Sequence, residues 1–131
     1  MENLLESIKK NEGFRGDPYK DTLGFQTIGY GTKLPLSEAE AEVIAKMRLK
    51  DKIKELEKKE PFINELPLDK QEIIVEMCYQ MGVNGVLRFR RMWKALKEFD
   101  YRLASVEMLD SKWAKQTFSR AYELSKKMMK E

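Results

Sequence analysis

The spacing of apolar positions changes several times along the chain, and each change marks an element. Leu4, Leu5, Ile8 and Glu12 fall at helical spacing, and Gly13 follows, which predicts one short helix over about residues 3–12. From Phe14 to Leu34 the helical period is lost. Gly16, Pro18, Gly24, Gly29 and Gly31 punctuate aromatic and β-branched residues there, which predicts a small, tightly turned antiparallel sheet. Gly24 is placed at a turn, with Phe25 to Tyr30 as the second strand.

Ser37 followed by Glu40 is a capping box, so a long helix is expected over roughly Glu38 to Lys59. Val43, Met47, Ile53 and Leu56 give it a partly apolar stripe in an otherwise charged surface, the pattern of a helix bridging two lobes. Pro61 marks its end. After Pro67, the pair Asp69 and Glu72 resembles a second capping box. Ile73, Ile74, Met77, Cys78 and Met81 then make a strongly apolar helix that Gly82 stops. The remainder reads as short helices. Trp93, Leu96 and Phe99 form one apolar face. Asp100 caps a piece carrying Leu103, Val106 and Leu109. Trp113 follows Ser111, and Thr117 caps a last helix with Ala121, Leu124 and Met128 facing inward.

This pattern predicts an α+β, mainly helical fold. The expected organisation is one domain over residues 1–131: an N-terminal helix (1–12), a β lobe (13–36), a bridging helix (37–60) and a helical lobe (61–131). A cleft between the lobes is where a polymer would lie.

Composition narrows the chemistry. The net charge of +3 is a mild excess that suits an acidic polymer or cell surface, and no nucleic-acid signature accompanies it. Cys78 is the single cysteine, so no internal disulfide forms, and the chain reads as made in a reducing cytosol. There is no His to partner a Cys nucleophile or to ligate zinc, so Cys78 is expected to be a buried apolar residue and no catalytic metal or cofactor is expected. The stretch from Met1 to Phe14 is short and charged, unlike a signal peptide or membrane anchor, so an extracytoplasmic substrate would require another route of delivery.

Polar residues concentrate in the small lobe. Glu12 ends the first helix, Asp21 precedes the Gly24 turn, and Thr27 lies in a strand. Glycoside cleavage needs one carboxyl that donates a proton and one that stays ionised. A carboxylate at a helix C-terminus faces the negative end of the dipole, which disfavours its charged form and suits Glu12 to the first role. A loop rich in backbone donors favours the charged form and suits Asp21 to the second. Thr27 can orient a water but cannot act as a base. The plainer alternative is that Glu12 and Asp21 are ordinary surface acids, since the chain holds 22 acids.

Three separated blocks bear on that choice. Asn11-Glu12-Gly13-Phe14-Arg15, then Tyr19-Lys20-Asp21-Thr22 with Gly24, then Thr27-Ile28-Gly29-Tyr30-Gly31, resemble the lysozyme family of T-even bacteriophages, glycoside hydrolase family 24. In that family the Glu, Asp and Thr follow at the same intervals. Tyr79-Gln80-Met81-Gly82 with Gly85-Val86, and Ser111-Lys112-Trp113 with Gln116-Thr117 and Arg120-Ala121, are similar to later blocks of the family, so the resemblance covers most of the chain. It implies a lysozyme-like fold. It also implies a muramidase that cuts the β-1,4 bond from N-acetylmuramic acid to N-acetylglucosamine in peptidoglycan, with inversion. Glu12 would be the general acid, and Asp21, helped by Thr27, would activate the water.

By the same resemblance Arg120 would partner Glu12, and Gln80 would face the substrate; as plain sequence, both also read as surface residues. Trp93 and Trp113 read as core rather than sugar platforms. The implied setting is a monomeric endolysin made in the host cytoplasm, released by a holin or other pore, and acting in the periplasm to lyse the host. Many relatives carry His at the position of Thr32, so a local loss of stability rather than of chemistry is expected there, and the family's Pro after the last helix cap is Phe118 here. Two other functions remain open: a lytic transglycosylase, which needs one Glu and no activated water, and a non-catalytic peptidoglycan-binding module.

Overall fold

The computed structural model describes all 131 residues. It is α+β and mainly helical, and it divides into two compact units, Met1–Ile44 and Ala45–Glu131.

The first unit opens with α1 (Glu2–Glu12), which buries no side chain and leaves Leu4, Leu5 and Ile8 exposed. Three antiparallel strands follow in the order β1 (Arg15–Lys20), β2 (Gln26–Gly29) and β3 (Thr32–Lys33). The second strand is shorter than the predicted Phe25 to Tyr30, and β3 was not anticipated, because two residues carry no periodicity. The β1–β2 register slips between Arg15 and Tyr19. Pro18 lies inside that slip, where a residue without an N–H can sit in a strand without leaving a ladder bond unmade. The Gly24 turn is present, closed by a bond from Gly24 N–H to the Asp21 carbonyl at 3.0 Å.

Helix α2 (Glu38–Lys59) has the predicted bounds, and the boundary between the units falls within it. Its capping box forms: Ser37 Oγ accepts from Glu40 N–H at 3.1 Å, and Glu40 accepts from Ser37 N–H at 2.9 Å. The backbone bond is the main reason the Glu40 carboxyl lies below its ordinary range. The predicted apolar stripe is mostly not core. Only Leu56 is buried, and Val43 and Met47 are exposed.

The second unit continues through a 3-10 turn (Pro61–Glu65), α3 (Leu68–Met81), α4 (Val83–Leu87), α5 (Arg90–Lys97), α6 (Tyr101–Leu109), α7 (Lys112–Gln116) and α8 (Phe118–Met129). Its core joins Ile73, Ile74, Met77 and Cys78 of α3 to Met92, Trp93 and Leu96 of α5, Met108 of α6 and Leu124 and Met128 of α8. Burial pushes the Cys78 thiol up to about 12, so it packs as a small apolar group. Asp100 caps α6 as expected, accepting from Leu103 N–H, and Ser111 caps α7, accepting from Ala114 N–H.

Four expectations are corrected here. No Asp69–Glu72 box forms, because α3 begins at Leu68 and its cap is Pro67, two residues before Asp69, with no side-chain cap bond. Thr117 does not cap α8 through its side chain; its hydroxyl donates back to the Trp113 carbonyl at 3.0 Å. Phe99 lies beyond α5 and is exposed, with φ of 56°, and its ring meets Phe62 at 5.8 Å. In α6 the buried residues are Ala104, Ser105 and Met108, while Leu103, Val106 and Leu109 face outward.

Buried polar groups in this unit are paired. Ser105 and Ser125 share a hydrogen bond of 3.0 Å. Lys70 is 1% exposed. Its ammonium donates to the Lys127 carbonyl at 3.0 Å and to the Lys130 carbonyl, and lies 4.9 Å from the Tyr101 ring centre. It thus satisfies carbonyls that the end of α8 leaves unpaired. No helix is long and apolar enough to cross a membrane.

Candidate active site

Glu12 is positioned by the hairpin turn between β2 and β3. Gly31 there has φ of 73°, and a Cβ built on it would lie 2.6 Å from Glu12 Cδ and 2.7 Å from Oε2. The carboxyl group therefore rests directly on the Gly31 backbone, a close approach only glycine permits. One turn earlier on the same helix face, the Lys9 ammonium lies 5.4 Å from the Tyr30 ring centre, and Phe14 meets Tyr30 at 5.7 Å. These contacts fix the end of α1 over the turn.

Asp21 is held by a different set of partners. Its Oδ1 accepts from Leu23 N–H at 3.0 Å and Phe25 N–H at 2.8 Å, the Asx-turn pattern that brings the chain around to β2. Its Oδ2 is paired with the Lys33 ammonium. The Lys33 bond, then the Phe25 N–H, hold the Asp21 carboxyl below its ordinary range, so it is ionised at neutral pH.

Thr27 sits on the central strand and is fully buried. Its hydroxyl donates to the Phe25 carbonyl at 2.8 Å, which leaves its lone pairs as acceptors. Phe25 therefore ties two site residues together: its N–H binds the Asp21 carboxylate, and its carbonyl receives both the Thr27 hydroxyl and Asp21 N–H. Thr27 pairs with Tyr19 across β1 and with Lys33 across β3, so these three share one sheet face. Lys33 senses Asp21 most strongly, then Glu12 and Tyr19. Glu12 at the end of α1, Asp21 in the β1–β2 turn and Thr27 on β2 thus gather around one small sheet, with Lys33 of β3 among them.

Lys33 was missed by sequence reasoning. As one of many lysines it carries no signal, and only the register Thr27↔Lys33 brings it beside the site. No group of His, Cys, Asp and Glu suited to a metal ion is present.

Gln80 and Arg120 belong to the helical unit. Gln80 Oε1 accepts from Trp113 Nε1 at 2.9 Å, so the amide anchors a buried indole at the end of α3. Trp93 is likewise core, donating to the Val86 carbonyl at 3.0 Å. Arg120 was expected to pair with Glu12. Within the helical unit its Nε pairs with Oε2 of Glu76 of α3 at 3.0 Å, because α8 packs along α3 and brings the two side chains together. Glu76 also lines an apolar groove of about 510 Å³ with Leu49, Ile53, Leu56, Val75 and Tyr79.

The model of the phage lysozyme family matches residues 9–131, from the last turn of α1 through α8. The chain belongs to the phage lysozyme family. It is 28% identical to probable T4-type lysozyme 1 of Dictyostelium discoideum, over 92% of this chain and 90% of that protein. It is 28% identical to the pre-baseplate central spike protein Gp5 of Enterobacteria phage T4, over 91% of this chain and 26% of Gp5. It is 27% identical to the peptidoglycan hydrolase gp36 of Pseudomonas phage phiKMV, over 96% of this chain and 15% of gp36. The lysozyme-like fold expected from the sequence is thus the fold of the family to which the chain belongs.

Proposed function

We propose that this phage lysozyme family member hydrolyses peptidoglycan at the β-1,4 bond between N-acetylmuramic acid and N-acetylglucosamine. The observation that carries this reading is the grouping of a carboxyl seated on Gly31 with an ion-paired, ionised carboxylate on the same small sheet. Two carboxyl groups of different environment are what glycoside hydrolysis requires. Glu12, in its protonated form, gives its proton to the leaving glycosidic oxygen. Asp21, ionised, draws a proton from water as that water attacks the anomeric carbon. The Thr27 hydroxyl, which gives its own proton to the Phe25 carbonyl, keeps lone pairs that accept a hydrogen from that water. Attack from the face opposite the leaving group inverts the anomeric centre. Gln80 and Arg120 are the helical unit's candidates for holding substrate, each fixed by a partner, Trp113 and Glu76 respectively. The biological role in this reading is host-cell lysis, with a holin or other pore giving a monomeric enzyme access to the wall.

The test is digestion of purified peptidoglycan by wild-type protein and by Glu12→Gln, with identification of the new chain ends. Wild type should give reducing ends at N-acetylmuramic acid, first released in the inverted configuration. Removing the acid should cost about 10²–10⁴-fold in rate. Wild-type turnover by a folded Glu12→Gln protein would sink the mechanism. Anhydro-muramic ends would assign a transglycosylase, and no new ends at all a binding module.

A further inference from the structure

Lys33 has no part in the reaction as written, yet it contacts the carboxylate given the task of activating water. A carboxylate has about four lone-pair directions, two on each oxygen. On Asp21 both directions of Oδ1 are filled by Leu23 and Phe25 N–H, and one direction of Oδ2 is filled by Lys33. One acceptor direction is left, on Oδ2 beside the ammonium. Without Lys33 both directions of Oδ2 would be open, and the carboxyl plane would be held from one oxygen only.

We propose that Lys33 is a positioning residue: its ammonium fixes the Asp21 carboxylate so that the single free acceptor direction on Oδ2 receives the hydrogen of the attacking water. This rests on the reading of Asp21 as the carboxylate that activates water. The sheet supports the arrangement. Lys33 stands opposite Thr27 in the β2–β3 register, so the two side chains occupy paired positions on one face of the sheet. Lys33 is half-exposed, with 55% of its side chain open to solvent, whereas Asp21 keeps only 16%. The lysine therefore reaches in from the solvent side to a carboxylate already tied to its own loop.

The arrangement has a pH consequence. The titratable groups around the pair are Glu12 at the end of α1 and Tyr19 on β1, whose ring in turn carries the Arg15 guanidinium at 4.3 Å. The Lys33 hydrogen bond is the largest influence lowering the Asp21 carboxyl. A lowered carboxyl stays ionised further into acid, so removing Lys33 must move Asp21 titration up and carry the acid limb of activity to higher pH.

The experiment compares wild type, Lys33→Met, Lys33→Arg and Asp21→Asn by two readouts. One is the NMR titration of the Asp21 carboxyl carbon; the other is the pH profile of reducing-end release from peptidoglycan. Lys33→Met should raise the Asp21 titration and shift the acid limb upward, lowering kcat more than it changes KM. Lys33→Arg, which keeps the charge, should restore both in large part. A folded Lys33→Met protein with an unmoved Asp21 titration and acid limb would overturn the proposal. So would wild-type Asp21 titrating at an ordinary carboxylate pH, a check that needs no variant. Asp21→Asn with wild-type activity would instead overturn the reading of Asp21 as base, while the NMR titration still reports on the ion pair.

Discussion

Gly31 and Gly29 flank the same hairpin turn and together allow a controlled test of where Glu12 sits. Both adopt positive φ, 73° and 70°. An alanine at either position carries the same backbone penalty, roughly 1–2 kcal/mol for an L-residue in left-handed conformation. They differ in what the new methyl group meets. At Gly29 nothing lies within 4 Å, whereas at Gly31 the Cβ falls 2.6 Å from Glu12 Cδ. To reach an ordinary van der Waals separation of 3.4 Å the carboxyl must retreat by about 0.8 Å. Because it is the end of a flexible side chain, it can do so at little further cost in stability. With Glu12 as the proposed proton donor, the cost falls on catalysis instead: a misplacement of about 1 Å is worth on the order of 100-fold in rate, or about 2.7 kcal/mol of transition-state stabilisation. Urea denaturation should therefore find Gly29→Ala and Gly31→Ala destabilised about equally. Peptidoglycan digestion should find Gly31→Ala slower than Gly29→Ala by roughly 10–100-fold. Equal activity of the two folded variants would refute the placement of Glu12 as the proton donor on this turn, and equal large losses would trace the effect to hairpin strain alone.

Two predictions concern the helical unit. Lys70→Met keeps the buried stem but strips two charge-assisted bonds from the carbonyls at the end of α8. Such bonds contribute about 1.5–3 kcal/mol each, and the relief of no longer burying an ammonium offsets part of that, so a net loss of roughly 2 kcal/mol is expected in the urea midpoint with an unchanged m-value. A variant as stable as wild type would show that the ammonium's burial cost cancels its bonds. Cys78, fully buried with its thiol pushed up to about 12, should react with thiol reagents only as the chain unfolds. Rapid stoichiometric labelling of the native protein at neutral pH would contradict its core position.

The sequence by itself determined those elements whose signals are local. The Ser37–Glu40 box starts α2, Gly13 and Gly82 follow α1 and α3, and the apolar run of α3 is core, because caps and periodicity act within a few residues. Glu12, Asp21 and Thr27 were singled out as candidates through the family resemblance, and family membership was legible from three blocks of motif. Tertiary structure alone decided which side chains meet. Pairing across strands gave Asp21 its lysine, and a positive-φ glycine gave Glu12 its seat. The packing of α3 against α8 gave Arg120 to Glu76 and buried Lys70 beneath the end of α8. The reason is distance along the chain. Lys33 is 12 residues from Asp21, and Arg120 is 44 residues from Glu76. No local propensity couples residues so far apart; only the register of a sheet or the packing of two helices does.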